Sequence, residues 1–299
     1  MRLGELTQRE LSRRLGGEGI GLRWGPFVTQ IRAELPELAP PIHRLYADFD
    51  LSEAEFRDFR VTIRRRGSLA REAEFVLDEW NAMPRFPREI ALGMLEWGLN
   101  WCVWSTVHRF LIIHSAVVAK GSRALLLSAP PGSGKSTLCA ALVNSGWRLL
   151  SDELAVVDPE TLDIWPLARP ICLKEESIAL IQGKAPSAVF GPVIHGTVKG
   201  RIAHMRPPSE SVRRSHEPAR AAWILLPRFD PQSVTELQPI SPAYALVHMA
   251  ENSFNYHVLG ETAFDALGRL VEGCRARARL PHSSLEEAMG HIESLASEA

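Results

Sequence analysis

Lysine is scarce in this chain. Of 34 cationic residues only five are lysine (Lys120, Lys135, Lys174, Lys184 and Lys199), and the rest are arginine. Codon usage in a GC-rich genome accounts for the skew, and it leaves each lysine worth inspecting. Cysteine is also sparse. Cys102, Cys139, Cys172 and Cys274 lie far apart and form no Cys-x-x-Cys pair. A metal cluster or disulfide framework is therefore not expected, and a reducing cytoplasm is the expected compartment. Net charge is only −1, which argues against a general nucleic-acid binder. No apolar run approaches the roughly 20 residues of a membrane span. The first ten residues lack the apolar stretch of a signal peptide.

What is present is globular. Hydrophobic residues make up 45% and charged residues 23% of 299 positions, enough for one large domain or two ordinary ones. Residues 1–105 read as a small α+β unit. An amphipathic helix is expected over 5–15, and strands over 21–31, around Phe59, Val61 and Ile63, and over 74–80. Pro87 opens a helix of about twenty residues, since proline suits a first helical turn. Trp97, Trp101 and Trp104 recur at helical spacing on it, and are expected to form its core face. Arg57, Arg60, Arg64, Arg65, Arg66 and Arg71 form a basic run, read as a solvated hairpin face or a landing patch for an acidic partner. From residue 106 to 299 the texture is that of an α/β domain. Lys120-Gly121-Ser122-Arg123 reads as a hairpin turn. Residues 182–219, rich in Pro, Gly, Ser, Arg and His, are expected to be a long loop with short strands. Helices close the chain over Pro242–Glu251, 263–274 and 284–295.

The strongest signal is Ser128-Ala129-Pro130-Pro131-Gly132-Ser133-Gly134-Lys135-Ser136-Thr137. A strand should precede it (Leu125-Leu126-Leu127) and a helix follow it, with Gly146 ending that helix. This is the pattern of a phosphate-binding loop. Glycines at 132 and 134 let successive N–H groups turn toward phosphate oxygens. The helix start adds its partial positive charge at the same point. In such a loop Pro131, Gly132, Ser133, Gly134, Lys135, Ser136 and Thr137 bind the nucleotide, Lys135 reaches the β- and γ-phosphates, and Ser136 ligates Mg²⁺. Ala129 stands where the pattern often has its first glycine.

A carboxylate pair, Asp152-Glu153, follows only 17 positions after Lys135. One helix and one short strand use all of that length. The pair is thus expected at the end of the strand after the loop helix, where open α/β sheets bind ligands. Strand alternation would separate the two side chains, giving Asp152 to Mg²⁺ and Glu153 to the acceptor proton as general base. A mobile loop could add cations to the transferred group, with Lys174, Lys199 and Arg206 as candidates beside Arg169 and Arg201, while His204 in the same loop reads as structural rather than catalytic.

The block His114-Ser115-Ala116-Val117-Val118, the glycine loop and Ser145-Gly146-Trp147-Arg148-Leu149-Leu150-Ser151-Asp152-Glu153 resembles the catalytic domain of HPr kinase/phosphorylase. It is most similar to the divergent HprK-related kinases, in which Leu95-Glu96-Trp97-Gly98-Leu99-Asn100-Trp101-Cys102, Pro207-Pro208 and Glu251-Asn252-Ser253-Phe254-Asn255-Tyr256 are also familiar. The resemblance implies an HPr kinase/PEP carboxykinase-like α/β core with a mixed sheet, preceded by the α+β unit. It implies a kinase using ATP and Mg²⁺ on a hydroxyl, serine above all. It gives His114 the place of an active-site histidine, Asp152 that of a metal-linked aspartate and Glu153 that of the catalytic aspartate. The Arg-Gly-Leu-Gly-Ile signature of HPr kinase is missing, so the expected acceptor is a peptide or protein other than HPr. A natural-product precursor presented by a peptide-binding chaperone fits. A small-molecule kinase and a nucleotide-sensing regulator without transfer stay open, as does an oligomeric state.

Overall fold

The computed structural model describes residues 1–66 and 71–297. Thr7 opens α1 (Gln8–Gly16) with a capping box, its hydroxyl accepting from the Glu10 amide while Glu10 reaches back to the Thr7 amide. Strands β1 (Ile20–Trp24) and β2 (Phe27–Ala33) form a hairpin. Helix α2 (Ala39–Leu45), β3 (Phe59–Arg66), β4 (Glu72–Leu77) and the short β5 (Trp80–Asn81) and β6 (Phe86–Pro87) lead to α3 (Ala91–Thr106). Next come β7 (Leu111–His114), β8 (Ala116–Lys120), β9 (Arg123–Leu127), α4 (Lys135–Asn144), β10 (Arg148–Ser151), β11 (Leu154–Val157) and β12 (Asp163–Trp165). The middle holds β13 (Ile171–Lys174), α5 (Glu176–Lys184), β14 (Ile194–Thr197), β15 (Gly200–Met205) and α6 (Ser209–Arg213). The chain ends with β16 (Ala219–Phe229), β17 (Gln238–Pro239), α7 (Pro242–Glu251), α8 (Tyr256–Leu259), α9 (Glu261–Gly273), β18 (Ala276–His282) and α10 (Leu285–Ser297).

These elements form a mixed α/β protein of two compact units. The first joins Met1–Val103 to Arg169–Arg213, and the second joins Trp104–Ala168 to Arg214–Ala299. A single cut at 105 therefore does not describe the chain. Segment 169–213 builds its own antiparallel sheet, β13-β15-β14, instead of joining the long sheet that precedes it. It is tied to the first unit by the Arg206–Asp48 and Arg169–Glu96 ion pairs and by Ile202 against Gly93. More of it is regular than its composition suggests. Its prolines sit between elements, and Ile194, Ile202 and Met205 supply buried positions.

In the first unit β1-β2-β3-β4-β5 line up in sequence order, with β2 and β3 parallel and β6 beside β4. The buried stripe of α3 is Leu92, Leu95, Leu99 and Cys102, while Trp97 and Trp101 are only half-buried. The tryptophans are thus not its core face. Gly98 decides this, because the Phe75 ring of β4 lies where a side chain at 98 would stand. Part of the basic run is paired with acids. Arg60 faces Asp78, Arg64 faces Glu34 and Glu74, and Arg66 meets the buried Glu74 at 2.6 Å.

The second unit is built on a nine-stranded sheet, running β10-β8-β9-β16-β12-β11-β7 with β18 and β17 added at β16. Its centre is parallel, since β16 pairs β9 on one side and β18 on the other. Its flanks are antiparallel. The β8–β9 turn falls at Gly121, whose φ of 63° suits glycine. Leu126, Val117, Ile224 and Ile164 are fully buried and meet Leu267, Leu270 and Val271 of α9. Each such aliphatic side chain contributes about 2 kcal/mol on leaving water.

Candidate functional site

Strand β9 ends at Leu127, and α4 starts at Lys135. Residues 128–134 make the turn between them. Gly132 has φ 85° and Gly134 has φ 90°, both in the left-handed region that glycine enters without cost. An ideal Cβ on Gly132 would meet nothing, and one on Gly134 would stand 3.5 Å from His282 Nε2 and Phe229 Cβ. The glycines are needed here for backbone conformation, not for space. The loop is pinned from below: the Ser128 amide donates to the Leu225 carbonyl at 3.0 Å, and the Phe229 amide donates to the Ser133 carbonyl at 3.0 Å. Lys135 is buried, and its ammonium donates to the carbonyls of Ala129 and, at 3.3 Å, of Pro130. Pro130, Pro131 and Gly132 are exposed, and Ser133, Ser136 and Thr137 are half-buried. Gly146, φ 105°, follows the Ser145 cap of α4.

The acid pair follows β10 directly. Asp152 and Glu153 occupy a bend between β10 and β11 rather than strand positions, so alternation does not govern their directions. Ser151 holds the bend, its hydroxyl accepting from the amides of Glu153 at 3.2 Å and Leu154 at 3.0 Å. Asp152 lies near Cys139 of α4; burial first, and then the Asp152 charge, push that thiol far up. Cys139 stands three residues after Ser136, on the same side of the helix. The carboxylate therefore approaches the helix face that begins at Ser136.

Ser115 joins the two halves. It is fully buried between β7 and β8. Its amide donates to the Glu153 carbonyl at 3.1 Å, and its hydroxyl donates to the Leu127 carbonyl at 2.9 Å. His114 precedes it, paired with Leu154 across β7 and β11, and its amide donates to the Asn252 carbonyl at 2.7 Å. The His114 ring lies 5.8 Å from Phe254, which stacks on Trp104 at 4.9 Å.

No motif or spacing points to His248. It reaches from α7 to the Ser128 carbonyl, close enough to Lys135 for that charge to act on it. Burial holds its pKa below the ordinary histidine value. Asn252 donates to the His248 carbonyl at 2.8 Å, and its amide nitrogen lies 3.4 Å from the ring. Asn255 is structural: its side chain accepts from the Ile112 amide and donates to Phe110 and Val107 carbonyls. Ser115 did leave a readable trace, a small polar residue beside His114 inside the otherwise apolar run 111–119.

The loop cations lie in the first unit. Arg206 is held by Asp48, which also accepts from Ser209. Arg169 binds Glu96 and Asn100. Arg201 pairs with Glu175 at 3.0 Å. Lys199 places its ammonium 4.6 Å from the centre of the Trp97 ring. Lys174 is half-buried at the end of β13, its amide donating to the Ser177 hydroxyl.

Among solved structures the chain is similar to the HPr(Ser) kinase/phosphatase from Coxiella burnetii, at 13% identity over 63% of this chain and 99% of that one, with a TM-score of 0.24. No family model and no curated protein matches the chain. The functional reading therefore rests on the chain's own residues.

Proposed function

We propose that this protein is a kinase that transfers the γ-phosphoryl group of ATP to a hydroxyl, a serine of a peptide or protein. The observation that carries the reading is the Ser115 bridge, which ties the start of a glycine loop to an acid pair through one buried residue. Two left-handed glycines allow the loop amides to turn toward a phosphate, and Lys135 would exchange its carbonyl partners for phosphate oxygens. A hydroxyl at Ser136 and a carboxylate at Asp152 on one side of α4 form an oxygen donor set suited to Mg²⁺. Mg²⁺ held there would offset charge on the β- and γ-phosphates. Glu153 accepts the acceptor proton as general base. His114, beside that bend, orients the acceptor.

The test is transfer from labelled ATP to serine-containing peptides. The Glu153→Gln protein should bind ATP as wild type does and lose about 10²- to 10⁴-fold in transfer. Transfer at the wild-type rate would remove Glu153 from its role. Stoichiometric ATP binding with no transfer to any acceptor would make the chain a nucleotide-sensing regulator.

A further inference from the structure

We propose that the first unit carries a separate oxyanion-binding site built from Trp97, Lys199 and His204. The site starts from how β15 meets α3. Ile202 faces α3, its Cδ1 standing 3.1 Å from where a Gly93 Cβ would be. His204 lies two residues on, so it shares that face. Trp97 lies one helical turn beyond Gly93 on the same side of α3. His204 is 1% exposed, and both its ring nitrogens lack a hydrogen-bond partner among the described residues. The indole N–H of Trp97 is also buried without a partner among them.

Folded proteins rarely leave such groups unpaired. Here three lie on two elements, β15 and α3, that meet at Ile202 and Gly93. Lys199 adds charge to the same place, its ammonium sitting over the Trp97 ring. Among the described residues it has no carboxylate within ion-pair distance, unlike Arg169, whose charge is met by Glu96. Burial, then Arg169 and Lys199, bring the His204 pKa down to about 3, so the imidazole is neutral and offers one N–H.

The donor inventory selects the ligand class. Indole and ammonium can only donate, and the neutral imidazole donates from one nitrogen. A group offering several acceptor oxygens and a negative charge satisfies all three, which describes a carboxylate or a phosphate. The site is independent of the kinase reading, because none of its residues belongs to the glycine loop or the acid bend.

The test uses ¹⁵N-labelled full-length protein titrated separately with sodium acetate, sodium phosphate and sodium chloride. The Trp97 indole resonance is assigned with Trp97→Phe, and Trp147 and Trp223 of the second unit serve as references. Trp97 should shift saturably with acetate or phosphate and not with chloride at equal ionic strength. Saturation by acetate identifies a carboxylate site, and saturation by phosphate alone a phosphoryl site. Lys199→Met should raise the half-saturating concentration about tenfold. A Trp97 resonance that moves no further than it does in chloride, or equal saturation of Lys199→Met and wild type, overturns the proposal.

Discussion

The Ser115 amide donates to the Glu153 carbonyl at 3.1 Å while the Ser115 hydroxyl donates to Leu127, the last residue before the glycine loop. One buried serine thus sets the distance between a general-base candidate and a phosphate-loop candidate. Ser115→Ala keeps the backbone bond and removes the hydroxyl bond. The expected cost is about 1 kcal/mol in stability, the net worth of an ordinary hydrogen bond. Transfer should fall about tenfold or more, because small displacements of reacting groups are expensive. Urea unfolding and labelled-ATP transfer, measured on the same preparation, check both numbers. Full transfer activity in a normally stable Ser115→Ala protein would mean that the bridge does not position the site.

The glycines of the loop give a second prediction with an internal control. Gly134 has φ 90°, and a Cβ there would meet only ordinary contacts. Alanine at 134 therefore costs about 1–2 kcal/mol through backbone strain alone. Gly146 has φ 105° and an open surrounding, at the far end of α4. Gly146→Ala should lose a similar amount of stability and keep ATP affinity. Gly134→Ala should lose ATP affinity as well, as read by calorimetric titration. Equal ATP affinity in the two variants would separate the loop conformation from nucleotide binding.

The glycine loop, its flanking strand and helix, and the early acid pair were legible because each is a local pattern. Strand, turn and helix follow each other within about twenty residues, and glycine marks the left-handed positions. Segment 169–213 was not legible. Its sheet forms by pairing β13 with β15 across some thirty residues, and its buried Ile194, Ile202 and Met205 are scattered among turn formers. The tryptophan stripe misled for a related reason. Helical spacing reports that residues share a face, not which face the sheet takes, and Gly98 offers the closer approach. His248 could not be found from sequence, since its place near Ser128 is set by where α7 docks on the sheet.

Acid sensitivity follows from His204. Burial and neighbouring cations lower its pKa to about 3 from an ordinary 6.5. The unfolded chain takes up a proton below 6.5 and the folded chain does not. Stability is therefore whole above pH 6.5 and falls as the pH drops toward 3, by at most about 1.4 kcal/mol per pH unit for this one group. His204→Gln removes the titrating ring. Urea midpoints between pH 4 and 7 should fall more steeply for wild type than for this variant. Parallel curves would place the acid sensitivity in other groups.

The packing of α3 can be tested at one atom. A Cβ on Gly98 would fall 2.0 Å from the Phe75 ring, far inside contact distance, and Phe75 is itself fully buried in β4. Two effects oppose each other in Gly98→Ala. Alanine favours an exposed helix interior by up to about 1 kcal/mol over glycine. Overpacking a filled core costs about 1–3 kcal/mol, and the ring has no solvent side to yield toward. The clash should win, so Gly98→Ala should lower the thermal midpoint. Pairing it with Phe75→Leu should recover part of the loss, because the smaller side chain frees the contested volume. The double-mutant cycle reads this as a favourable coupling between positions 98 and 75. A stabilised single variant, or strict additivity of the two, would show that helix and sheet are not in contact there.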